Sequence, residues 1–540
     1  MLSQYKPGMD GEEFRLRAKE VVDYMVNYQN TMKDRDVGPS LNILKTKVAD
    51  LKKFIPPSPP MEGGESFKNI MSDVDSLIVP RLLVWDHPQF FAYFATGNSY
   101  PTILADMLSD IYNNIGFSWS SGPAVTELEM IMMDWWAQAT NLPTHFLFQT
   151  HGGKGGGVIQ CSSSDAAFMS IVSARERALE FLQKTYSGEY IEKYQLIKKL
   201  VGYTNRESHS CVQKGANLAL VRLRVLTPND NNQITGEILE RAIAQDVRRG
   251  LVPFFVSAII GTTGTTAYDN IWEIGAVCKR NPLIWLHVDC AYAGGSFVCE
   301  EFQYLYGPLD YADSMNMNAN KWMLICYDCT GHWVRDRYTY TQGLVITPVY
   351  LSNEIPGIID YRHWQIQLSR RFRSLKLWLM FRITGVKMLR EYIRNHVRLA
   401  KYFEELILRD KRFEITSEVH LALVCTRLVG DDILTQHLVA FINALGKLHV
   451  TPAKDQGQYI MRLCVNYEFA TKEHIEFGWK HIQECATEVI NLQKQFPDLL
   501  PSRRMSYTVP VNQSRLQALN QLTRDMADPI PVDDETWNVE

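Results

Sequence analysis

The chain has 540 residues, with 56 Lys and Arg against 60 Asp and Glu, a formal net charge of −4, and 46% hydrophobic and 21% charged residues. That much apolar material excludes global disorder, and the lack of a basic excess argues against a nucleic-acid partner. A single core stops growing at about 250–300 residues, so the chain is expected to divide into domains.

No run of about 18 uncharged apolar residues is present, so no membrane span is expected. The first residues carry no apolar stretch behind a basic start, and no signal peptide is read. Ten scattered cysteines read as reduced thiols of a cytoplasmic protein. Cys326 and Cys329 are the one close pair, and nothing around them supports redox chemistry.

In chain order, Asp10 followed by Glu13 predicts a capped helix start. Phe14, Ala18, Val21, Val22, Met25 and Tyr28 then recur at helical spacing, a stripe that must bury against the protein or a partner chain. Pro56, Pro57, Pro59, Pro60, Gly63 and Gly64 mark a connector. Residues 1–100 are thus expected to form an N-terminal helical segment. From 101 to 375, helical patterns such as 165–184 alternate with short apolar runs such as 252–260 and 283–288. This predicts an α/β domain around a mostly parallel sheet. From 376 to 496, long helices over 375–408 and 471–495 flank strand-like runs at 413–415, 421–427 and 459–465, which predicts a smaller α+β domain. Residues 497–540 are polar and Pro-dotted and are expected to be a disordered tail.

Three features could carry chemistry. Ser162, Ser163 and Ser164 follow a Gly-rich segment and sit where a helix begins. Unpaired N–H groups and the helix dipole favour an anion there. The segment is not a P-loop, because no Gly-Lys-Ser/Thr follows at the required spacing. Taken alone, it also fits a plain turn and N-cap. Asp289 ends an apolar run, and an acid at the carboxyl end of a buried parallel strand faces the ligand crevice. Equally, it could only cap or solvate the strand end. Lys321 is followed by Trp322, Met323, Leu324 and Ile325. Burial beside such residues lowers an amine's pKa and makes it a nucleophile, although most lysines are solvated. Together the three match the needs of pyridoxal 5′-phosphate. Its phosphate needs a helix start, its ring nitrogen an acid, and its aldehyde a lysine. His209 is a candidate to stack on the ring.

With these residues in place, the chain resembles the pyridoxal-phosphate-dependent group II aromatic amino acid decarboxylases over roughly residues 10–490. The runs that carry the likeness include Phe91-Ala-Tyr-Phe94, Ile115-Gly-Phe-Ser-Trp119, Thr126-Glu-Leu-Glu129, Gly155-Gly-Gly-Val-Ile-Gln160, Gly261-Thr-Thr-Gly264, His287-Val-Asp289, Ala291-Tyr-Ala-Gly294, Lys321-Trp322 and Arg362-His-Trp364. The resemblance implies a fold-type I transferase and an obligate homodimer with its site at the interface. The N-terminal helices would wrap on the partner.

By position, Lys321 would hold the cofactor, Asp289 would pair with its ring nitrogen, and His209 would stack on the ring. Ser162, Ser163, Ser164, Thr263 and Asn320 would line the cofactor and its phosphate. Tyr350 matches a mobile-loop tyrosine that returns a proton to the substrate carbon. Tyr93, Thr96 and Trp364 match substrate-pocket positions. Gly97-Asn-Ser, Ser208-His-Ser-Cys211, Asn320-Lys321, Ser369-Arg-Arg371 and Lys447-Leu-His-Val look most like animal tyrosine decarboxylases, which implies conversion of L-tyrosine to tyramine and CO2. Decarboxylation of dopa, 5-hydroxytryptophan or histidine stays open, as does a catalytically impaired partner of an active relative. The chain departs from the family at Cys290, where Ala is usual, and at Ala95 and Ala319, where Pro is usual. Cys161 stands where a small residue is common, and the usual Glu-Pro-Gly-Tyr run is missing near Pro39.

Overall fold

Apolar runs closed by Asn or Asp become strands buried on both faces, as a sheet covered by crossover helices requires. The structure is a computed structural model that describes residues 8–38, 50–149, 152–185, 192–345 and 359–495. Seven strands form the larger sheet: β1 (Gly156–Gln160), β2 (Leu200–Asn205), β3 (Arg222–Leu226), β4 (Val252–Ile259), β5 (Trp285–Asp289), β6 (Ser314–Asn318) and β7 (Thr330–Val334). Their order is β1-β7-β6-β5-β4-β2-β3. Only β7 runs against the rest. The expected fold-type I, mostly parallel sheet is therefore present.

A second, antiparallel sheet has the order β10-β11-β9-β8, formed by β8 (Phe413–Ile415), β9 (Leu423–Leu428), β10 (Thr451–Asp455) and β11 (Gln458–Cys464). Strand β10 carries Pro452 and Lys454 and lacks an apolar run, which hid it in the sequence. It is an edge strand, where a missing N–H is tolerated. One apolar core joins the two sheets, running from Val288, Met315 and Met317 through Tyr292 and Trp322 to Leu423, Met461 and Leu463.

The helix expected over 375–408 is two helices, Ser374–Ile383 and Gly385–Leu408. The break falls at Gly385, whose φ of +73° lies in the left-handed region that glycine adopts without a Cβ clash. The helix expected at 471–495 spans Lys472–Gln495. At the N-terminus, Asp10 accepts hydrogen bonds from the N–H groups of Glu12 and Glu13 and caps the helix Gly11–Met32. Glu13 does not return the bond; it pairs with Arg17. The apolar stripe is only partly covered, with Phe14 56% and Val22 39% exposed. Among the described residues no helix is long and apolar enough to cross a membrane. All ten cysteines are free, Cys326 and Cys329 included. The segment 497–540 lies outside the described residues.

Candidate active site

The parallel strands deliver their chemistry to one edge of the sheet. Strand β1 leads into Ser162 and the helix Ser163–Thr185, β2 leads to His209, and β4 leads to the loop with Thr263. Strand β5 ends on Asp289, and β6 ends on Asn318, just before the helical turn Ala319–Trp322 that holds Asn320 and Lys321. All these residues follow carboxyl ends of parallel strands, the edge at which open α/β sheets form their ligand crevice.

Lys321 is positioned by its surroundings. Its Nζ lies 5.9 Å from the centroid of the Phe94 ring, and Phe94 stacks on Tyr292 at 3.7 Å, which stacks on Trp322 at 4.7 Å. Burial holds the amine below the ordinary lysine range. The Asp289 carboxylate opposes that shift and the Arg462 guanidinium adds to it. His209 is exposed in this chain, yet partial desolvation lowers its imidazole, which feels both Asp289 and Lys321. The three residues expected to bracket the cofactor therefore share one electrostatic environment. Nδ1 of His209 accepts the N–H of Cys211, which orients the ring.

Asp289 is buried and takes hydrogen bonds from the Ala291 N–H and from Asn316 Nδ2, each at 3.0 Å. Both donors meet Oδ1, so Oδ2 is the oxygen left for a further donor. At the helix start, Ser162 Oγ donates to Asp165 Oδ2 and accepts the Asp165 N–H, and Ser163 Oγ donates to Asn318 Oδ1 at 2.8 Å. Ser164 and Thr263 are exposed. Asn320 is buried; its Oδ1 accepts the Cys329 N–H and its carbonyl accepts the Gly97 N–H. A half-buried amine of lowered pKa, an acid with a free oxygen, an imidazole and a helix start fit the aldehyde, ring nitrogen, ring face and phosphate of pyridoxal 5′-phosphate.

Other expected residues fall differently. Tyr93 stands at φ +57°, stacks on Trp85 at 5.2 Å, and is tied by its N–H to Thr451 Oγ1. Thr96 lines a cavity of about 390 Å³ together with Trp85, Asp86, Asn98 and Tyr327. Its buried Oγ1 has no partner among the described residues. Trp364 does not join this group. It is 2% exposed and packs its ring on Tyr340 and Tyr361, while its carbonyl accepts bonds from Gln160 and Tyr340. That is a core position, fixed by packing on all sides. Tyr350 lies outside the described residues. Cys290 and Ala319 are fully buried in the core, and Ala95 is buried beside Phe90. Cys161 sits 3.2 Å from Arg373, which is paired to Asp328.

Two parts of the site escaped the sequence. Arg462 reaches across from β11; its Nε and Nη1 donate to the Gly264 carbonyl and Thr451 Oγ1, and its guanidinium lies 4.9 Å from the Phe94 centroid. Its buried Nη2 has no partner among the described residues, so it can meet an anionic group. No local signal marks it, because its neighbours come from distant strands. The polar residues of β6, Ser314, Asn316 and Asn318, did leave a signal. They alternate with Met315 and Met317, the pattern of a strand with one polar face.

Fold and site together define a fold-type I pyridoxal-phosphate enzyme. The chain belongs to the pyridoxal-dependent decarboxylase family, whose conserved domain matches residues 49–429. It is 40% identical to the aromatic-L-amino-acid decarboxylase of Rattus norvegicus over 490 residues, 90% of this chain and 100% of that protein. It is also 40% identical to the histidine decarboxylase of Homo sapiens over 484 residues, 89% of this chain and 72% of that one. The crystal structure of Oryza sativa TDC with PLP and tryptamine superimposes with a TM-score of 0.85 at 31% identity, covering 90% of this chain and 100% of that one.

Proposed function

We propose that the protein decarboxylates an aromatic L-amino acid, with L-tyrosine as substrate, releasing tyramine and CO2. The observation that carries this is the half-buried Lys321, its amine lying over Phe94 and within the field of Asp289, His209 and Arg462. The bound cofactor supplies a sink for the electron pair left at Cα when CO2 departs. Lys321, its pKa lowered by desolvation, gives up its proton more readily than an ordinary lysine and offers its amine for covalent attachment. Asp289 accepts the ring N–H and holds that proton in place, and His209 covers the ring face. The helix start with Ser162, Ser163 and Ser164, together with Thr263 and Asn320, binds the phosphate side. Arg462 meets the substrate carboxylate, and Tyr350 returns the proton to Cα.

Tyr93, Trp85 and the cavity beside Thr96 receive the aromatic ring, and the unpartnered Thr96 hydroxyl meets the phenol. A site built to bond a hydroxyl rejects an analogue without one more strongly than an apolar site can. Exposed apolar residues on the helix Gly11–Met32, and Ile111 at 69% and Tyr112 at 58% on Tyr100–Tyr112, support a homodimer in which a partner covers them. The proposed division is 1–100, 101–375, 376–496 and 497–540, in a cytoplasmic enzyme.

The test is to incubate purified protein and cofactor with tyrosine, dopa, 5-hydroxytryptophan and histidine in parallel, following CO2 and identifying the amine. Tyrosine should give the highest kcat/KM, and Thr96→Val should lower it for tyrosine more than for phenylalanine. Release of CO2 from none of them would leave the impaired-partner reading standing. In Tyr350→Phe, aldehyde should rise at the expense of amine, and an unchanged product ratio would remove Tyr350 from the scheme.

A further inference from the structure

Behind Asp289 lies a buried polar layer. Side chains two apart on a strand share a face. His287 and Asp289 on β5 stand opposite Ser314 and Asn316 on β6. Asn316 and Asn318 stand opposite His332 and Thr330 on β7. These polar residues occupy one face of three adjacent strands. The alternating residues Leu286, Val288, Met315, Met317 and Trp333 belong to the apolar core. The helix Ser163–Thr185 contributes Ser163 and Ser170 to the layer. His287, Ser314, Asn316, His332 and Ser170 are all fully buried, so every proton in the layer must have a defined place.

Those places can be worked out. Trp285 Nε1 can only donate, and it meets Ser314 Oγ at 2.7 Å. Ser314 Oγ, having accepted that proton, can give its own either to Nδ1 of His287, at 2.8 Å, or to Ser170 Oγ, at 3.2 Å, and Ser170 is itself 3.1 Å from Nδ1; the choice is made on the other side of the imidazole. Further along, Tyr340 gives its hydroxyl proton to the Trp364 carbonyl. Its oxygen is then the acceptor for Nδ1 of His332, at 3.4 Å, and Ser170 donates to Nε2 of His332, at 2.9 Å. Two atoms are left over, Nε2 of His287 and Oδ1 of Asn316. They sit on diagonal neighbours of the β5–β6 pair. The Asn316 side chain acts on the titration of His287 in the sense of a hydrogen-bond acceptor. A proton on Nε2 satisfies both. Burial keeps this imidazole neutral, with its pKa lowered to about 4.

We infer that His287, as the neutral Nε2–H tautomer, and Asn316 are positioning residues for Asp289 and for the start of the phosphate-side helix. With Oδ1 of Asn316 held by His287, its Nδ2 must face the other way. There it donates to Asp289 Oδ1 at 3.0 Å and to Ser163 Oγ at 2.9 Å. Ser163, having accepted, spends its proton on Asn318. One amide thus ties the acid at the ring nitrogen to the serine at the helix start, and the imidazole fixes which way that amide points. A flipped amide would set its oxygen against the carboxylate and lose both bonds. The inference rests on the reading that Asp289 faces the cofactor's ring nitrogen.

Neutron diffraction from deuterated holoenzyme crystals tests it without any substitution. Deuterium is expected on Nε2 of His287 with Nδ1 bare; deuterium on Nδ1 overturns the inference. Variants give a second measurement. His287→Leu should weaken cofactor binding by about 10-fold or more, the effect of one lost bond to a charged network. It should also lower kcat, with the KM for the amino acid within about twofold of the unaltered enzyme. His287→Gln presents an N–H toward Asn316 and should recover most of the affinity. Leu binding the cofactor as tightly as the unaltered protein, or Gln binding it no better than Leu, refutes the assignment. Asp289→Asn is the separate control. If it leaves cofactor affinity and absorbance unchanged, the reading of Asp289 has failed, while the neutron result still decides the tautomer.

Discussion

The ion pair between Glu129 and Arg370 offers a demanding test of how the site is held. Both side chains are 1% exposed. Glu129 also accepts the Ile159 N–H at 2.8 Å, and Arg370 lies 4.4 Å from the Tyr361 centroid. Glu129 therefore clamps β1 just ahead of Ser162. Glu129→Leu leaves the Arg370 cation with an aromatic face and the Ile159 carbonyl but no anion. An uncompensated buried charge costs about 3–5 kcal/mol, and the orphaned Ile159 N–H adds about 1–3 kcal/mol. Adding Arg370→Met removes the charge and leaves only the second penalty. The double variant should thus be more stable than Glu129→Leu alone by about 3–5 kcal/mol. Urea unfolding followed by tryptophan fluorescence and circular dichroism compares the midpoints. A double variant less stable than the single one would refute the argument, because the pair would then act through packing rather than charge.

The lowered Lys321 pKa sets a pH dependence. The neutral amine attacks, so the rate of cofactor association with apoenzyme should rise with pH through a midpoint below the ordinary lysine value of about 10.4. Stopped-flow absorbance measures it, and a midpoint at or above that value contradicts the buried-amine assignment. The linked stability has a definite sign: the apoenzyme loses stability as pH falls through the lowered pKa, because the fold disfavours the charged amine. Arg462→Met should raise the KM for amino acid substrates about 10–100-fold, the loss of a charge-assisted contact; steady-state kinetics with an unchanged KM would free Arg462 from the carboxylate. Gly155→Ala places a Cβ 1.9 Å from the His145 carbonyl oxygen, which is backbone and cannot yield. Overpacking of this kind costs about 1–3 kcal/mol or more, and a variant with wild-type thermal unfolding would show that the loop 144–148 moves freely.

Much of this was legible in the sequence, because the signals were local. An apolar run ending in Asp289, a serine run at a helix start and a lysine among apolar residues each follow from chain-neighbour chemistry, as does the Asp10 cap. Strand alternation even marks Asn316, whose meaning depends on what stands across from it. Other features belong to no single stretch of chain. Arg462 and Lys321 are 141 positions apart and meet only because β11 and β6 share one core. The helix at 375–408 broke at Gly385 because the left-handed backbone there is a local choice that hydrophobic periodicity does not register. Trp364 looked like a pocket wall and is packed core, since burial depends on all the elements that close over a side chain. Sequence alone pointed to Asp289, Lys321 and the serine run as candidates for the chemistry and, through the strand that ends at Asp289, to the edge of the sheet where they would gather. Tertiary structure decided which of them share one low-dielectric space, because distance and desolvation, the quantities that set a pKa, exist only once the chain has folded.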